Sequence, residues 1–250
     1  MRDSTSADES GWKTYPREAW DERNPPDKLG DLPFWRYCAE KFGAPVLDLC
    51  CGNGRITLPL AQMGYDVDGV DINEGFLDSA RRRLTELRSE NPGLRIRFLH
   101  GDIVNLSLDR EYALAILPSW SFQVLLTQED QISFLRRLRR HMEDGGALAF
   151  NLFIPFHRQR GLVERNGRYE WPRDPDYHSG ALRTYDAVTQ IEEMVESNVH
   201  TIKLRHTNLN ELKLLFGLTG FEIAELYGDD GMRPFTGAKD NDYTIIARTV

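Results

Sequence analysis

The sequence is poor in cysteine and has no long hydrophobic run. Its three cysteines, Cys38, Cys50 and Cys51, are an odd number with two of them adjacent, which fits neither a disulfide framework nor a zinc site. No segment approaches the roughly 18 consecutive apolar residues of a membrane span. The polar amino terminus, residues 1–13, lacks the apolar core of a signal peptide. These absences predict a soluble, cytoplasmic protein with no membrane partner, and the polar sequence predicts that its first ten residues are disordered.

Positive charge is also scarce, because 31 Lys and Arg residues stand against 39 Asp and Glu residues, a net charge of −8. Nucleic-acid-binding proteins neutralise phosphates with Lys and Arg, so this deficit argues against a nucleic-acid partner. The two basic runs, Arg81–Arg83 and Arg136–Arg140, fall inside segments with helical apolar spacing and are interpreted as solvated helix faces. The oligomeric state, monomer or homo-oligomer, stays open.

Short apolar segments alternate with helical patterns from residue 46 onward. The predicted strands are Val46–Leu49, Asp66–Val70, Arg95–Leu99, Tyr112–Leu117 and Ala147–Phe153, and the helical patterns between them are Arg55–Met63, Glu74–Glu90 and Gln128–Met142. Thr127 is the predicted N-cap of the third of these helices, and Gly145-Gly146 is predicted to mark the exit from it. The alternation indicates βαβ units and a parallel sheet that is covered on both faces.

A polar segment rich in aromatic and turn-forming residues interrupts this pattern between residues 155 and 206. Within it, Arg183–Gln190 and Asn198–Arg205 are predicted strands of a small antiparallel meander. The main pattern then resumes with a helix from Asn208 to about Leu218 and the strands Phe221–Tyr227 and Tyr243–Ala247. The expected fold is α/β, a doubly wound and mostly parallel seven-stranded sheet with an N-terminal helical arm and an inserted antiparallel lid. The expected divisions are 1–154 for the arm and the first half of the α/β domain, 155–206 for the lid and 207–250 for the completion of the domain.

A glycine-containing turn joins the first predicted strand to its helix, in Asp48-Leu49-Cys50-Cys51-Gly52-Asn53-Gly54. Glycine has no Cβ, so such a turn lets a ligand approach the backbone at the carboxyl end of a strand. Two further acids, Asp71 and Asp102, follow the second and third predicted strands. An acid in the place of Asp71 can accept both hydroxyls of a ribose. Signals at three successive strand ends predict a site for a nucleotide-like ligand.

Two common nucleotide sites do not match this turn. A dinucleotide site of the form G-x-G-x-x-G/A that begins at Gly52 would need a small residue where Thr57 stands. A phosphate-binding Walker loop would need Gly-Lys-Ser/Thr, which the sequence lacks. A nicotinamide-dependent oxidoreductase is therefore a weaker alternative for the function of this chain, and tight binding of NAD would support it.

Residues 46–154, and above all Asp48-x-Cys50-x-Gly52-x-Gly54, resemble class I S-adenosylmethionine (SAM)-dependent methyltransferases. The loop of that family reads D/E-x-G-x-G-x-G, and Cys50 replaces its first glycine. The resemblance implies a Rossmann-like enzyme with SAM as cofactor and S-adenosylhomocysteine as product. The residues implied to bind the cofactor are Asp48, Cys50, Cys51, Gly52, Asn53 and Gly54 of the loop, Asp71 and Ile72 at the ribose, Asp102 and Ile103 at the adenine, and Leu117 at a strand end that borders the methyl group.

The segment after the fourth strand favours a small-molecule acceptor. Methyltransferases for the amine of adenine and some for protein glutamine resemble one another in an Asn/Asp-Pro-Pro-Tyr sequence, whereas Leu117 precedes Pro118 here. The segment from Ser121 to Gly146 instead resembles bacterial secondary-metabolite methyltransferases, including N-methyltransferases for amino sugars and lincosamide antibiotics. The resemblance implies methylation of a small-molecule amine in antibiotic biosynthesis. O- or C-methylation is the alternative within the family, and a SAM-binding protein without catalytic activity is the alternative outside it.

Three residues are candidates for a catalytic role. Tyr15 and Phe122 should flank the methyl group, and His157, just after the fifth strand, is the candidate general base. Further aromatic candidates for the acceptor pocket are Trp12, Trp20, Tyr169, Trp171, Tyr177 and His178. Plain packing or a surface position is at least as common a role for each of them. The sequence contains no metal-ligand or Ser-His-Asp arrangement, so no metal and no covalent intermediate are expected.

Overall fold

Twelve strands and seven α-helices form the described part of the chain, which comprises residues 5–25, 28, 30–153, 163–165, 168–170, 182–196, 200–237 and 242–250 of a computed structural model. The strands are β1 Val46–Leu49, β2 Val67–Asp71, β3 Ile96–His100, β4 Tyr112–Leu117, β5 Met142–Phe153, β6 Val163–Arg165, β7 Arg168–Glu170, β8 Leu182–Asp186, β9 Ile191–Glu196, β10 His200–Arg205, β11 Phe221–Tyr227 and β12 Asp242–Thr249. The helices are α1 Ser6–Glu9, α2 Arg17–Arg23, α3 Leu32–Phe42, α4 Thr57–Gln62, α5 Glu74–Glu90, α6 Gln128–Arg139 and α7 Leu209–Thr219.

The main sheet has seven strands in the order β11-β12-β5-β4-β1-β2-β3. The strands pair in parallel except β12, which runs antiparallel to both β5 and β11. The central strands β1 and β4 are buried along their whole length, as apolar strands must be when helices cover both faces of a sheet. The predicted doubly wound, mostly parallel seven-stranded sheet is confirmed. The strand order reverses between β1 and β4, and in open α/β sheets ligands bind at such a point.

Side-chain caps fix the starts of two helices that support this sheet. Asn73 Oδ1 accepts a hydrogen bond from the Phe76 N–H at 3.2 Å, and the Thr127 hydroxyl accepts one from the Asp130 N–H at 3.1 Å. Each contact satisfies a backbone donor that the first helical turn leaves without a partner. The predicted N-cap at Thr127 is therefore confirmed.

A second sheet of five antiparallel strands, in the order β10-β9-β8-β7-β6, is inserted between β5 and α7. The sequence predicted two strands here. The structure corrects the first of them, because β8 ends at Asp186 and a turn over residues 187–190 leads into β9. Strand β9 was missed because a charged residue, Glu192, occupies a buried position in it and breaks the apolar alternation. The second predicted strand corresponds to β10.

The predicted exit from α6 is also corrected. Helix α6 ends at Arg139, and β5 begins at Met142, so Gly145 and Gly146 lie inside the strand. Gly145 has a φ of +75°, and the pairing of β5 with β4 shifts its register beside these glycines. Glycine permits the positive φ of such a bulge, which lies away from the carboxyl end of β5.

The N-terminal arm, residues 5–25, contains α1, α2 and a 3-10 turn over Trp12–Thr14. It is followed by α3, whose Phe34 and Trp35 are fully buried in the core. Among the described residues, no helix is long and apolar enough to cross a membrane.

Candidate functional site

A cavity of about 860 Å³ opens at the carboxyl ends of the central strands. Its volume lies within the roughly 300–1,000 Å³ of small-molecule sites. The lining residues of the arm are Ser10, Trp12, Trp20, Arg23 and Asn24. Those of the strand ends and loops include Cys50, Arg55, Asp71, Ile72, Gly101, Asp102, Ile103, Ser119, Trp120, Ser121, Val124, Asn151, Phe153 and Asp230, and those of the second sheet are Met194, Ile202 and Leu204. The cavity thus lies between the main sheet, the arm and the second sheet.

Three positive φ angles shape the turn between β1 and α4, namely +54° at Cys50, +57° at Gly52 and +79° at Gly54. A residue with a Cβ pays about 1–2 kcal/mol in this left-handed region, whereas glycine adopts it freely. Cys50, which lines the cavity, therefore carries strain that a glycine in its place would avoid. Burial raises the pKa of the Cys50 and Cys51 thiols, so both groups are neutral and poor nucleophiles.

The arm covers the middle of this turn. A Cβ added to Gly52 would lie 2.9 Å from Trp20 Nε1, so the indole packs directly on the glycine. Asn53 Nδ2 donates to Asp21 Oδ1 at 2.8 Å and to the Asn24 carbonyl at 3.0 Å. The turn therefore positions the arm over the cavity, which is a role that the sequence did not reveal.

Asp48 lies beneath the turn and ties it to α4. Its Oδ2 accepts a hydrogen bond from the Thr57 hydroxyl at 2.6 Å, and the residue is 1% exposed. Burial raises the pKa of Asp48 to about 7, and its Oδ1 has no hydrogen-bond partner among the described residues.

Of the loop residues that the resemblance assigned to the cofactor, only Cys50 lines the cavity. The others are buried and do not line it, namely Asp48, Cys51, Gly52, Asn53 and Gly54.

Asp71 ends β2 with its carboxyl group at the cavity. Its Oδ2 accepts a hydrogen bond from the Gly52 N–H at 2.8 Å, and its Oδ1 accepts one from the Asn73 N–H at 2.8 Å. Burial raises the pKa of Asp71 to about 6, while these backbone donors act in the opposite direction. Each carboxylate oxygen has a second lone pair, so Asp71 retains the capacity to accept two hydroxyl groups. Ile72 beside it also lines the cavity.

Asp102 and Ile103 follow β3 and line the cavity together. Asp102 Oδ1 accepts a hydrogen bond from the Val104 N–H at 2.9 Å, and its Oδ2 accepts one from the Thr5 hydroxyl at 2.9 Å. The first contact caps a 3-10 turn over Ile103–Asn105. The second contact ties the beginning of the arm to this part of the cavity, where Ile103 supplies an apolar wall.

Asn73 holds the arm through its side-chain amide. Its Nδ2 donates to the Trp12 carbonyl at 2.9 Å and to the Tyr15 carbonyl at 3.0 Å. Trp12 and Trp20 line the cavity, and their indole N–H groups are buried with no acceptor among the described residues. Buried donors are nearly always paired, so these two suit a ligand that brings its own acceptor.

A further group of lining residues consists of Ser119, Trp120, Asn151, Phe153 and Asp230. It is here called the acceptor side, because the sequence predicts that the loop after β4 flanks the methyl group. Ser119 and Trp120 have φ angles of +58° and +59°, which are rare for residues other than glycine. The Trp120 N–H donates to Asn151 Oδ1 at 3.0 Å, and Asn151 Nδ2 donates to Asp230 Oδ1 at 3.3 Å. Sequence reasoning assigned no role to Asn151 or Asp230. The Asp-Asp-Gly that closely follows a correctly predicted strand was the signal that could have found Asp230.

The structure corrects the placement of Phe122. This residue is fully buried, and its ring packs against Phe134 and Phe150 at centroid distances of 6.2 and 5.2 Å. The 3-10 turn over Ser121–Val124 directs Phe122 into the core and leaves Ser121 and Val124 at the cavity. Phe122 therefore does not line the cavity and does not face an acceptor there.

Tyr15 and Leu117 also lie behind the cavity wall. Tyr15 is 4% exposed and stacks on Trp12 at a centroid distance of 5.1 Å, so it supports a lining residue instead of lining the cavity. Leu117 is fully buried in the main core. His157, Trp171, Tyr177, His178 and the side chain of Tyr169 lie outside the described residues, and the role of His157 as a base stays a prediction.

Comparison with known proteins agrees with this geometry. Residues 46–146 match a family model described as a methyltransferase domain. The chain is 25% identical over 214 residues to the cypemycin N-terminal methyltransferase of a Streptomyces species, a match that spans 82% of this chain and 84% of that protein. Further curated relatives match over 15–60% of their own length.

Two solved structures share the fold over nearly the whole chain. The CcbJ methyltransferase of Streptomyces caelestis superposes with a TM-score of 0.71 at 24% identity, covering 90% of this chain and 96% of that one. SAM-bound CalS10 of Micromonospora echinaspora, an amino pentose methyltransferase, superposes with a TM-score of 0.58 at 18% identity, covering 93% and 95%.

The matched domain, the relatives and the site define the class of protein. Residues 46–146 form a methyltransferase domain, and the chain is a SAM-dependent methyltransferase that uses SAM as its methyl donor. Within that class it resembles methyltransferases of secondary metabolism, as the sequence indicated.

Proposed function

We propose that the chain transfers the methyl group of SAM to an amine nitrogen of a small molecule during the biosynthesis of an antibiotic or a related metabolite in the cytoplasm. The observation that carries the proposal is a cavity that joins a side lined by Asp71 and Asp102 to an acceptor side lined by Asn151 and Asp230. Two relatives support the nitrogen target, since one is named for the N-terminus of cypemycin and one for an amino pentose.

Three parts of the cofactor side are proposed to bind three parts of SAM. Asp71 is assigned to the ribose hydroxyls, which its free lone pairs can accept, and Asp102 with Ile103 is assigned to the amino edge of the adenine. The turn that contains Cys50 is assigned to the methionine part. The buried indole N–H groups of Trp12 and Trp20 lie on the same cavity and can donate to a carboxylate there.

Methyl transfer from SAM requires mainly that the acceptor is aligned with the methyl group. SAM carries its methyl group on a sulfonium sulfur, which is already a good leaving group. The residues of the cavity therefore have to hold the acceptor in line with the methyl group and exclude water, and such positioning can supply up to roughly 7–11 kcal/mol of a barrier. The indole faces of Trp12 and Trp120 suit the positive charge of the sulfonium and of a methylated ammonium product. A neutral amine needs no strong base before attack, whereas a hydroxyl group does.

The proposal is tested in two steps. Isothermal titration with S-adenosylhomocysteine, with NAD as the control, should show binding of the first and none of the second. Transfer of an isotope-labelled methyl group is then screened over pairs of small molecules that differ only in an amine or a hydroxyl group, and the amines are expected to be labelled. If only hydroxyl groups or carbon atoms are labelled, the proposed nitrogen target is wrong.

A further inference from the structure

Asp230 is an acidic group of the acceptor side that no cation of the described residues neutralises. It lies in the loop between β11 and β12 and lines the cavity, and none of the described Lys, Arg or His side chains forms an ion pair with it. Asp31, which lines the same cavity, is instead paired with Arg55, with Nη2 and Oδ2 2.9 Å apart. A partly buried carboxylate is costly unless a counter-charge accompanies it, and a cationic ligand would supply that charge.

The hydrogen bonds around Asp230 determine which of its atoms is left for a ligand. The Trp120 N–H donates to Asn151 Oδ1, so the amide must present its Nδ2 to Asp230. Asp230 Oδ1 accepts this bond at 3.3 Å and a second one from the Thr244 hydroxyl at 3.1 Å. Two donors occupy the lone pairs of Oδ1. Oδ2 is therefore the atom available to the cavity.

The indole of Trp120 is a second, independent sign of a ligand at this place. Its Nε1 is buried with no acceptor among the described residues, and the residue lines the same cavity as Asp230. Asn151 holds the backbone of Trp120 in a strained conformation and also holds Asp230. Strain of this kind persists where the surrounding structure fixes it, and it concentrates at ligand sites.

We propose that Asp230 binds the methyl acceptor as an ammonium ion and accepts its proton, so that the acceptors are primary or secondary amines that are cationic at neutral pH. The inference rests on the proposed methylation of an amine and names the residue that would recognise it.

The proposed step is balanced in atoms and electrons. A proton passes from the ammonium nitrogen to Asp230 Oδ2, which leaves a neutral amine. The nitrogen lone pair then forms the new N–C bond while the S–C bond breaks, and the electron pair of that bond stays on sulfur. Burial raises the pKa of Asp230, which favours its holding the proton.

Benzylamine and benzyl alcohol are the probes, titrated at pH 7 into protein that is saturated with S-adenosylhomocysteine. The amine is cationic at this pH and differs from the alcohol only in its polar group. We expect the wild type to bind the amine at least about tenfold more tightly, which corresponds to about 1.4 kcal/mol. Asp230→Asn is expected to abolish the preference and to leave the affinity for S-adenosylhomocysteine unchanged. Asp144→Asn removes the same charge from a fully exposed side chain and should keep the preference.

Binding of S-adenosylhomocysteine also shows that each variant is folded. If Asp230→Asn does not fold, Asp230→Ser provides a smaller neutral side chain with the same expected loss. A preference that survives in the folded neutral variant, or a wild type without a preference, would overturn the inference. If the preference depends on Asp230 but only hydroxyl groups are methylated in the screen, the nitrogen target fails, and the role of Asp230 towards the methyl acceptor fails with it, although Asp230 still binds an ammonium ion.

Discussion

The carboxylate of Asp71 accepts a hydrogen bond from the backbone N–H of Gly52 at 2.8 Å, which joins the end of β2 to the turn after β1. The two strands are neighbours in the sheet, with Leu49 paired in register with Val70. The acid at the end of β2 therefore lies directly beside the turn that follows β1. The contact holds a backbone with a positive φ in place and still leaves lone pairs of the carboxylate for a ligand. One side chain thus both shapes the turn and is assigned to the ribose.

Replacing Asp71 tests the assignment to the ribose. Asp71→Ala is expected to raise the dissociation constant for S-adenosylhomocysteine at least about tenfold, or about 1.4 kcal/mol, because the ribose hydroxyls lose their acceptors. Isothermal titration measures the affinity, and thermal unfolding shows whether the loss of the Gly52 contact matters. Asp78→Ala, on an exposed face of α5, is the matched control and should bind normally. An unchanged affinity of Asp71→Ala would remove Asp71 from the ribose site.

The buried carboxyl group of Asp48 predicts a pH dependence of stability. Its pKa is raised from 3.8 to about 7 in the folded chain, so the folded state holds this proton more tightly than the unfolded state. The resulting stability is fully present below about pH 4 and is lost as the pH rises towards 7, by at most about 1.4 kcal/mol per pH unit. Asp48→Asn does not titrate. The difference in unfolding free energy, variant minus wild type, should therefore grow between pH 4 and 7 and then level off in urea unfolding. A difference independent of pH would contradict the raised pKa.

The positive φ of Cys50 predicts that the folded chain is more stable with glycine at this position than with alanine. Cys50→Gly and Cys50→Ala both remove the thiol, but the alanine variant keeps the Cβ at a φ of +54°. We expect the glycine variant to exceed the alanine variant by about 1 kcal/mol in urea unfolding, since the left-handed region costs a residue with a Cβ about that much. Its affinity for S-adenosylhomocysteine should equal that of the wild type within a factor of about three, or less than about 1 kcal/mol. Equal stabilities of the two variants would show that the turn is not strained at this position.

The sequence allowed the sheet and part of the site to be predicted, for reasons visible in single elements. Tyr112–Leu117 is an uninterrupted apolar segment, Val46–Leu49 is apolar except for Asp48, and the structure confirms the bounds of both. Asp71 and Asp102 were found because acids at the carboxyl ends of neighbouring parallel strands must lie near one another, and both line the cavity.

The rest of the site depends on contacts that no local pattern encodes. Asn151 and Asp230 meet although they are 79 positions apart, because β12 runs antiparallel beside β5 and brings the end of one strand to the loop before the other. The sequence shows that an aromatic residue follows β4, but the 3-10 turn decides that Phe122 points into the core and Trp120 lines the cavity. Docking of the arm depends on amide side chains that, in the sequence, look like ordinary turn residues.

Asn73 offers a way to release the arm without disturbing the helix that Asn73 caps. Asn73→Ser keeps a side-chain oxygen for the α5 cap, since serine is a favoured N-cap residue, but its short hydroxyl cannot replace both amide bonds to Trp12 and Tyr15. We expect amide hydrogen exchange in residues 12–24 to become at least about tenfold faster, which corresponds to a local opening that is easier by about 1.4 kcal/mol. Global unfolding should change by less than about 1 kcal/mol because the cap is kept.

The same variant is expected to bind S-adenosylhomocysteine more weakly, because Trp12 and Trp20 line the cavity only while the arm is docked. Asn91→Ser, an identical change at an exposed position at the other end of α5, should alter neither the exchange of the arm nor the affinity. Unchanged exchange in Asn73→Ser would mean that the other contacts of the arm, such as those of Asn53 with Asp21 and Asn24, hold it in place without Asn73. Faster exchange with unchanged affinity would instead separate the arm from cofactor binding and leave the strand ends as the whole of the cofactor site.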